Sequence, residues 1–216
     1  MKEKLKNKTV IILVRHGECR GNREGLFRGR SDFPLNEVGI MQARELAQEI
    51  KQFHPSRIYT SPLTRATQTA EEIKEECKIE VEKREALNNI ELGPWEGKSK
   101  EYISREYPKE WGIWLKEPEK LSFSNMEPLH SVQKRAREDL DNIIKKHTGE
   151  CVVIVSHRAL LKPLISSCIG ICQPYFWRIH LDTASYTIIH HKKEQGFILV
   201  QLNQNKHLSE FITEWQ

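Results

Sequence analysis

Val10-Ile11-Ile12-Leu13-Val14 runs without a break into Arg15-His16-Gly17-Glu18. Five consecutive apolar residues, mostly β-branched, read as a strand buried on both faces, at the centre of a sheet. In an open α/β sheet, ligands bind just beyond the carboxyl ends of the strands, which is where the arginine and the histidine fall. A second apolar run, Cys151-Val152-Val153-Ile154-Val155-Ser156, stops in the same way at His157. Two buried strands thus each deliver an imidazole to what can be a single crevice.

Outward from the first strand, residues 19–30 form a loop rich in glycine and arginine, with Arg20, Arg23, Arg28 and Arg30 beside Gly21, Gly25 and Gly29. Arginines alone would suit a solvated loop, but glycines let backbone N–H groups approach an anion. Asn36 caps the next helix, in which Gly39 is a cost in stability. Ala43, Leu46, Ala47, Ile50 and Phe53 then repeat at helical spacing. Arg57–Thr60 reads as a short strand. Ser61-Pro62 opens a further helix, which sets Arg65 at a strand end beside a positive helix terminus.

Asn88 to Gly97 is expected to be extended and to end in a Gly/Pro turn. Residues 98–125, with Trp111 and Trp114, read as a helical cap or lid. A long amphipathic helix with Leu129, Val132, Ala136, Leu140, Ile143 and Ile144 leads to the second buried strand. Ala159–Gly170 is a helix despite Pro163, and residues 185–189 and 197–202 form an antiparallel pair, with His190 and His191 solvated beside its turn. The alternation predicts an α/β three-layer sandwich, its mainly parallel central sheet flanked by helices, with a small helical cap in a single domain over 1–216.

The chain has 34 basic and 30 acidic residues, a net charge of +4 and 38% hydrophobic residues. That balance is too mixed to argue for nucleic acid, and no stretch approaches membrane-spanning length. Lys2, Lys4, Lys6 and Lys8 read as a solvated basic N-terminus. Five cysteines without framework spacing point to a reducing compartment, and Cys168 and Cys172, one helical turn apart, to core packing. The expected setting is cytoplasmic, with no nucleic acid or membrane partner. A homodimer is left open.

Arg15, His16, Arg65 and His157, with Asn22 and the glycine loop nearby, form a chemically coherent set. Two guanidinium forks suit an oxyanion with several oxygens. A neutral imidazole with one nitrogen held by a carbonyl presents the other as a nucleophile. Together these describe phosphoryl transfer through a phosphohistidine. The rival reading, a metal site, is opposed by arginines that would repel a divalent cation and by the absence of an HExxH or acidic cluster. No metal and no cofactor is expected.

Arg15-His16-Gly17-Glu18 with Asn22, residues 61–70 around Arg65, Gly93-Pro94-Trp95-Glu96-Gly97 and Ser156-His157 together resemble the histidine phosphatase superfamily, in its phosphoglycerate mutase-like branch. Tyr107-Pro108, Trp114, Glu117-Pro118, Phe176-Trp177, Ala184-Ser185-Tyr186 and the tail from His207 to Phe211 are most similar to the metal-independent phosphoserine phosphatases. The resemblance implies hydrolysis of a small phosphate ester, with His16 as the phosphorylated nucleophile. It implies a phosphate pocket of Arg15, Asn22, Arg65 and His157, to which Arg28 and Gly29 are added by position. It also implies a substrate contact from His207. A phosphoglycerate mutase and a weakened phospho-ligand binding protein are the alternatives.

The chain departs from the family pattern at three places. The general acid is normally a glutamate four residues before the glycine of Gly-x-Trp-Glu-Gly, and that position is Asn89. Glu91, two residues on, would face the same side of an extended segment and is the expected substitute, with Glu18 next in line. Arg158 and Arg28 add positive charge near the pocket, and Leu92 takes the place of a histidine.

Overall fold

Side chains of β1 (Thr9–Arg15) are divided between two cores in alternation. Ile11 and Leu13 join one core, and Val10, Ile12 and Val14 the other. This is the period-2 geometry of a strand covered on both faces. Every residue of β1 is buried, and each of its larger apolar side chains is worth about 1.5–3 kcal/mol of hydrophobic burial.

The computed structural model describes residues 8–212; Lys2, Lys4 and Lys6 lie outside the described residues. After β1 come α1 (Arg20–Arg23), α2 (Glu37–Lys51), β2 (Arg57–Thr60), α3 (Thr64–Cys77) and β3 (Val81–Lys83). Then follow α4 (Lys100–Glu106), α5 (Pro108–Lys116), α6 (Leu129–Lys146), β4 (Cys151–Ser156), α7 (Arg158–Ile169), β5 (Tyr186–Lys192) and β6 (Gly196–Gln204). The strands form one sheet in the order β3-β2-β4-β1-β5-β6. β1, β2, β3 and β4 run parallel, and β5 and β6 form an antiparallel edge.

Apolar faces of α2 and α3 (Leu46, Ala47, Ile50, Ala66, Ala70, Ile73) cover one side of the sheet. Those of α6 and α7 (Val132, Ala136, Leu140, Ile143, Leu160, Leu164) cover the other, and Ile103 of α4 and Trp114 of α5 join that second core. The sandwich is therefore three layers deep. β1 and β4 are neighbours in register, Arg15 beside Ser156, so His16 and His157 leave the sheet side by side.

Several local expectations are corrected. β3 was not legible, because Val81-Glu82-Lys83 is short, partly exposed and two-thirds charged. Residues 88–92 form no strand; a short 3₁₀ turn at Glu85–Leu87 precedes them, and the expected Gly/Pro turn follows as a 3₁₀ turn at Gly93–Trp95. His190 and His191 belong to β5 and are half-buried. Cys168 is in the core, but Cys172, beyond the end of α7, is exposed.

Gly39 has a reason that its helical propensity conceals. A Cβ there would overlap the Glu18 backbone carbonyl, because the first turn of α2 lies directly against the loop that leaves β1. Propensity alone makes Gly→Ala in a helix a gain of about 1 kcal/mol. Overpacking costs about 1–3 kcal/mol, and here the obstacle is rigid backbone. Gly39→Ala is expected to lower the unfolding free energy measured with denaturant; a rise would contradict the close approach.

Candidate active site

His16 is buried at the end of β1 with its ring 5.1 Å from that of His157, centre to centre. Its Nδ1 lies 2.7 Å from the carbonyl oxygen of Gly17. A carbonyl only accepts, so Nδ1 carries the proton and Nε2 of the neutral ring keeps its lone pair. Burial pushes the His16 pKa well below its usual 6.5, and Arg65, Arg15 and Arg28 push it further down. His157 is lowered for the same reasons, burial first and then Arg65 and His16. Both rings are neutral at pH 7. Nε2 of His157 pairs with the Ser61 hydroxyl at 2.7 Å, and its Nδ1 is buried with no partner in the protein.

The cations that act on His16 are themselves fixed. Arg15 is fully enclosed, and its Nη1 donates to the Leu181 carbonyl at 2.7 Å. Arg65, also fully enclosed, donates from Nη2 to the carbonyl of Gly29 at 2.8 Å and from Nη1 to that of Ser31 at 2.9 Å. Burial draws its pKa down to about 10, which leaves it charged at neutral pH. Arg28 donates to the carbonyls of Gly21 and Leu26 at 2.7 and 3.2 Å. Asn22 is buried, its Oδ1 taking the Cys19 N–H at 3.0 Å.

Residues 29–31 are clamped from two sides. The Gly29 carbonyl accepts from Asn89 Nδ2 as well as from Arg65, each at 2.8 Å. Glu96 accepts the N–H groups of Arg30 and Ser31, each at 2.9 Å, and that of Leu92 at 3.0 Å. Gly29 has φ +50, and a Cβ there would overlap the Glu96 carboxylate. Glu96 and Ser61 were not singled out in the sequence as site residues; the signal was present, since both lie inside the quoted motifs.

A pocket opens at this point. It is lined by His16, Arg28, Gly29, Asn89, His157 and Arg158 on its polar side and by Leu26, Phe27, Ile90, Leu92, Trp114 and Phe176 on its apolar side. Trp114 packs 5.4 Å from Phe27, 6.1 Å from Trp95, 5.3 Å from Phe176 and 5.5 Å from Trp177. Trp111 completes the cluster 6.2 Å from Phe27.

Three expected residues are elsewhere. Glu91 is not among the pocket-lining residues: its side chain is about half exposed, 3.7 Å from Arg30. Glu18 is fully enclosed but held by Arg23 at 2.5 Å and Asn36 at 2.7 Å. His207 lies against Tyr186, 5.6 Å between rings, with Nε2 3.1 Å from the Ala184 carbonyl. Its neighbour Leu208 packs on the core that α2 and α3 cover, and His207 is not among the residues that line the pocket.

Two buried neutral histidines have a consequence for stability. Their folded pKa values are depressed, so between 6.5 and those values the unfolded chain binds more protons than the folded one. Stability then rises with pH across that window. Unfolding free energy is expected to fall as pH is lowered from 6.5, by up to about 1.4 kcal/mol per unit for each histidine. Denaturant titrations from pH 7.5 to 5.5 measure this, and a flat profile that persists in His157→Gln would contradict it.

Comparison with known proteins agrees with the geometry. Residues 11–205 match the Histidine phosphatase superfamily (branch 1). Phosphoserine phosphatase 1 of Hydrogenobacter thermophilus is 38% identical over 204 residues, covering 94% of this chain and 96% of its own. A metal-independent phosphoserine phosphatase of Arabidopsis thaliana is 31% identical over 159 residues, 72% of this chain and 67% of its own. Among solved structures, Bacillus stearothermophilus YhfR superposes with a TM-score of 0.88 at 31% identity, covering 93% of this chain and all of that one. With the histidine pair, the buried arginines and the order of the strands, these matches establish that the chain belongs to the histidine phosphatase superfamily.

Proposed function

We propose that this phosphatase hydrolyses small phosphate monoesters in two displacements at His16. Nε2 attacks phosphorus, the P–O bond to the leaving group breaks, and water then attacks the phosphohistidine and returns the electron pair to Nε2. The observation that carries this is the His16 Nδ1 contact with the Gly17 carbonyl, which leaves Nε2 as the free base of a neutral ring. Arg15, Arg65, Arg28 and His157 surround the ring and stabilise charge on the phosphoryl oxygens. Asn22 positions the loop between β1 and α2. Gly29 closes the pocket floor through its shared carbonyl.

Segment 98–125, through Trp114 of α5, serves as a cap whose aromatic side meets the substrate's leaving group. The likeness to relatives named as phosphoserine phosphatases supports a small phosphorylated metabolite as substrate. Five free cysteines support a reducing, cytoplasmic setting.

Phosphate release from a panel of phosphorylated metabolites and aryl phosphates, with and without EDTA, tests the reading. The expected result is turnover unchanged by chelation and an acid-labile, base-stable phosphoenzyme on rapid quench. Activity lost to EDTA and restored by one divalent ion would sink the arginine-based mechanism. Binding of phosphate with no release from any ester would favour a phospho-ligand binding protein, and isomerised product without free phosphate a mutase.

A further inference from the structure

The pocket wall holds no group that can protonate a departing oxygen. Its polar side chains, among the described residues, are His16, Arg28, Asn89, His157 and Arg158. The histidines are neutral, and arginine does not give up its proton at neutral pH. Each nearby carboxylate is committed elsewhere: Glu18 to Arg23 and Asn36, Glu96 to three backbone N–H groups, Glu127 to Arg135 at 2.7 Å, and Glu91 to the surface beside Arg30.

Asn89 sharpens the point. Its amide orientation is decided by its partner, because the Gly29 carbonyl can only accept and so must face Nδ2. The other polar atom of this buried side chain, Oδ1, has no partner in the protein. It is an acceptor, so it can orient a water or a substrate hydroxyl but can give no proton. The remaining side chains of the wall are apolar, the aliphatic Leu26, Ile90, Leu92 and Ala159 beside the aromatic rings of Phe27, Trp114 and Phe176.

We infer that the preferred substrates are phosphate esters of acidic hydroxyl groups, phenols and enols, whose oxygen departs as a stable anion. This rests on the phosphohistidine reading above and narrows its substrate class. A phenol ionises at about 10, as tyrosine does, whereas bulk water, a guide to simple alcohols, is a far weaker acid. In the first displacement the His16–P bond forms, and the P–O pair leaves on the phenolate or enolate oxygen, which takes its proton from solvent. In the second, water attacks phosphorus, Nε2 recovers its pair, and the water proton passes to solvent. Aromatic rings of Trp114 and Phe176 suit such a leaving group, since stacked or edge-on contacts favour planar partners.

The test compares kcat/KM for substituted phenyl phosphates with that for phosphoserine and glycerol 2-phosphate. A steep dependence on leaving-group acidity is expected, with phenyl phosphate ahead of the alkyl esters by about 10²–10⁴-fold, the usual range of a general acid's contribution. Asn89→Glu, which supplies a carboxyl group there, should raise the ratio of the alkyl-ester rate to the 4-nitrophenyl phosphate rate at least tenfold, a ratio that cancels any loss common to both from the Gly29 contact. Asn89→Asp, which adds no bulk, is read in the same way should the longer side chain unfold the chain. Equal rates for alkyl and aryl esters in the wild type would overturn this inference and leave the phosphohistidine mechanism standing. An unchanged alkyl-to-aryl rate ratio in both folded variants would equally overturn it. Absence of any phosphoenzyme would overturn the mechanism beneath it.

Discussion

His16→Ala is expected to abolish turnover, by about 10⁴–10⁶-fold, the scale seen when a covalent nucleophile is removed. The magnitude follows from the geometry. Nε2 of His16 carries the lone pair of a ring already oriented by a backbone carbonyl, and burial, reinforced by the arginines, holds that ring neutral. No backbone carbonyl fixes the tautomer of His157, whose Nε2 pairs with the Ser61 hydroxyl, so it is not preset as a nucleophile in the way His16 is. The phosphoenzyme should vanish with the activity, while inorganic phosphate should still bind, since Arg15 and Arg65 are untouched. Rapid-quench labelling and phosphate titration separate these two effects. Retained turnover in this variant would remove His16 from the mechanism.

Arg65→Lys should be nearly as damaging. One guanidinium spans the Gly29 and Ser31 carbonyls and also sets the potential at both histidines. An ammonium is a point charge without the planar fork. It cannot hold both carbonyls in one geometry, so a preorganised donor is lost along with the loop's anchor. A fall in kcat/KM of about 10²–10³ is expected, the usual cost of removing one such donor, together with faster hydrogen exchange at the Arg30 and Ser31 amides. Near-normal rates with unchanged exchange would show that charge alone suffices at this position.

The layers of this fold were legible because β1 and β4 are apolar on both faces, and only a doubly covered parallel strand needs that. The histidine pair was legible for the same reason, since each ends such a strand. Glu91 was misplaced because the argument assumed period-2 alternation in a segment that is not a strand, where the consecutive residues Asn89 and Ile90 both line the pocket. The seat of His207, against Tyr186 and the Ala184 carbonyl with Leu208 on the core under α2 and α3, was not legible because a tail carries no periodicity. Glu96 was quoted only as part of a motif. Its work is to gather backbone N–H groups from two loops, and no property of a single residue announces that.

The aromatic cluster also makes the protein its own optical probe. Of the five tryptophans, Trp95, Trp111, Trp114 and Trp177 belong to the ring cluster built around Phe27 and Trp114, and the fifth, Trp215, lies outside the described residues. Trp114 itself lines the pocket. A phosphate group in the pocket that His16 and Trp114 both line would alter the field on that indole, and its neighbours lie close enough to pass excitation to it. Intrinsic emission therefore follows occupancy of the pocket without a label, and stopped-flow fluorescence can time each displacement in the unmodified chain.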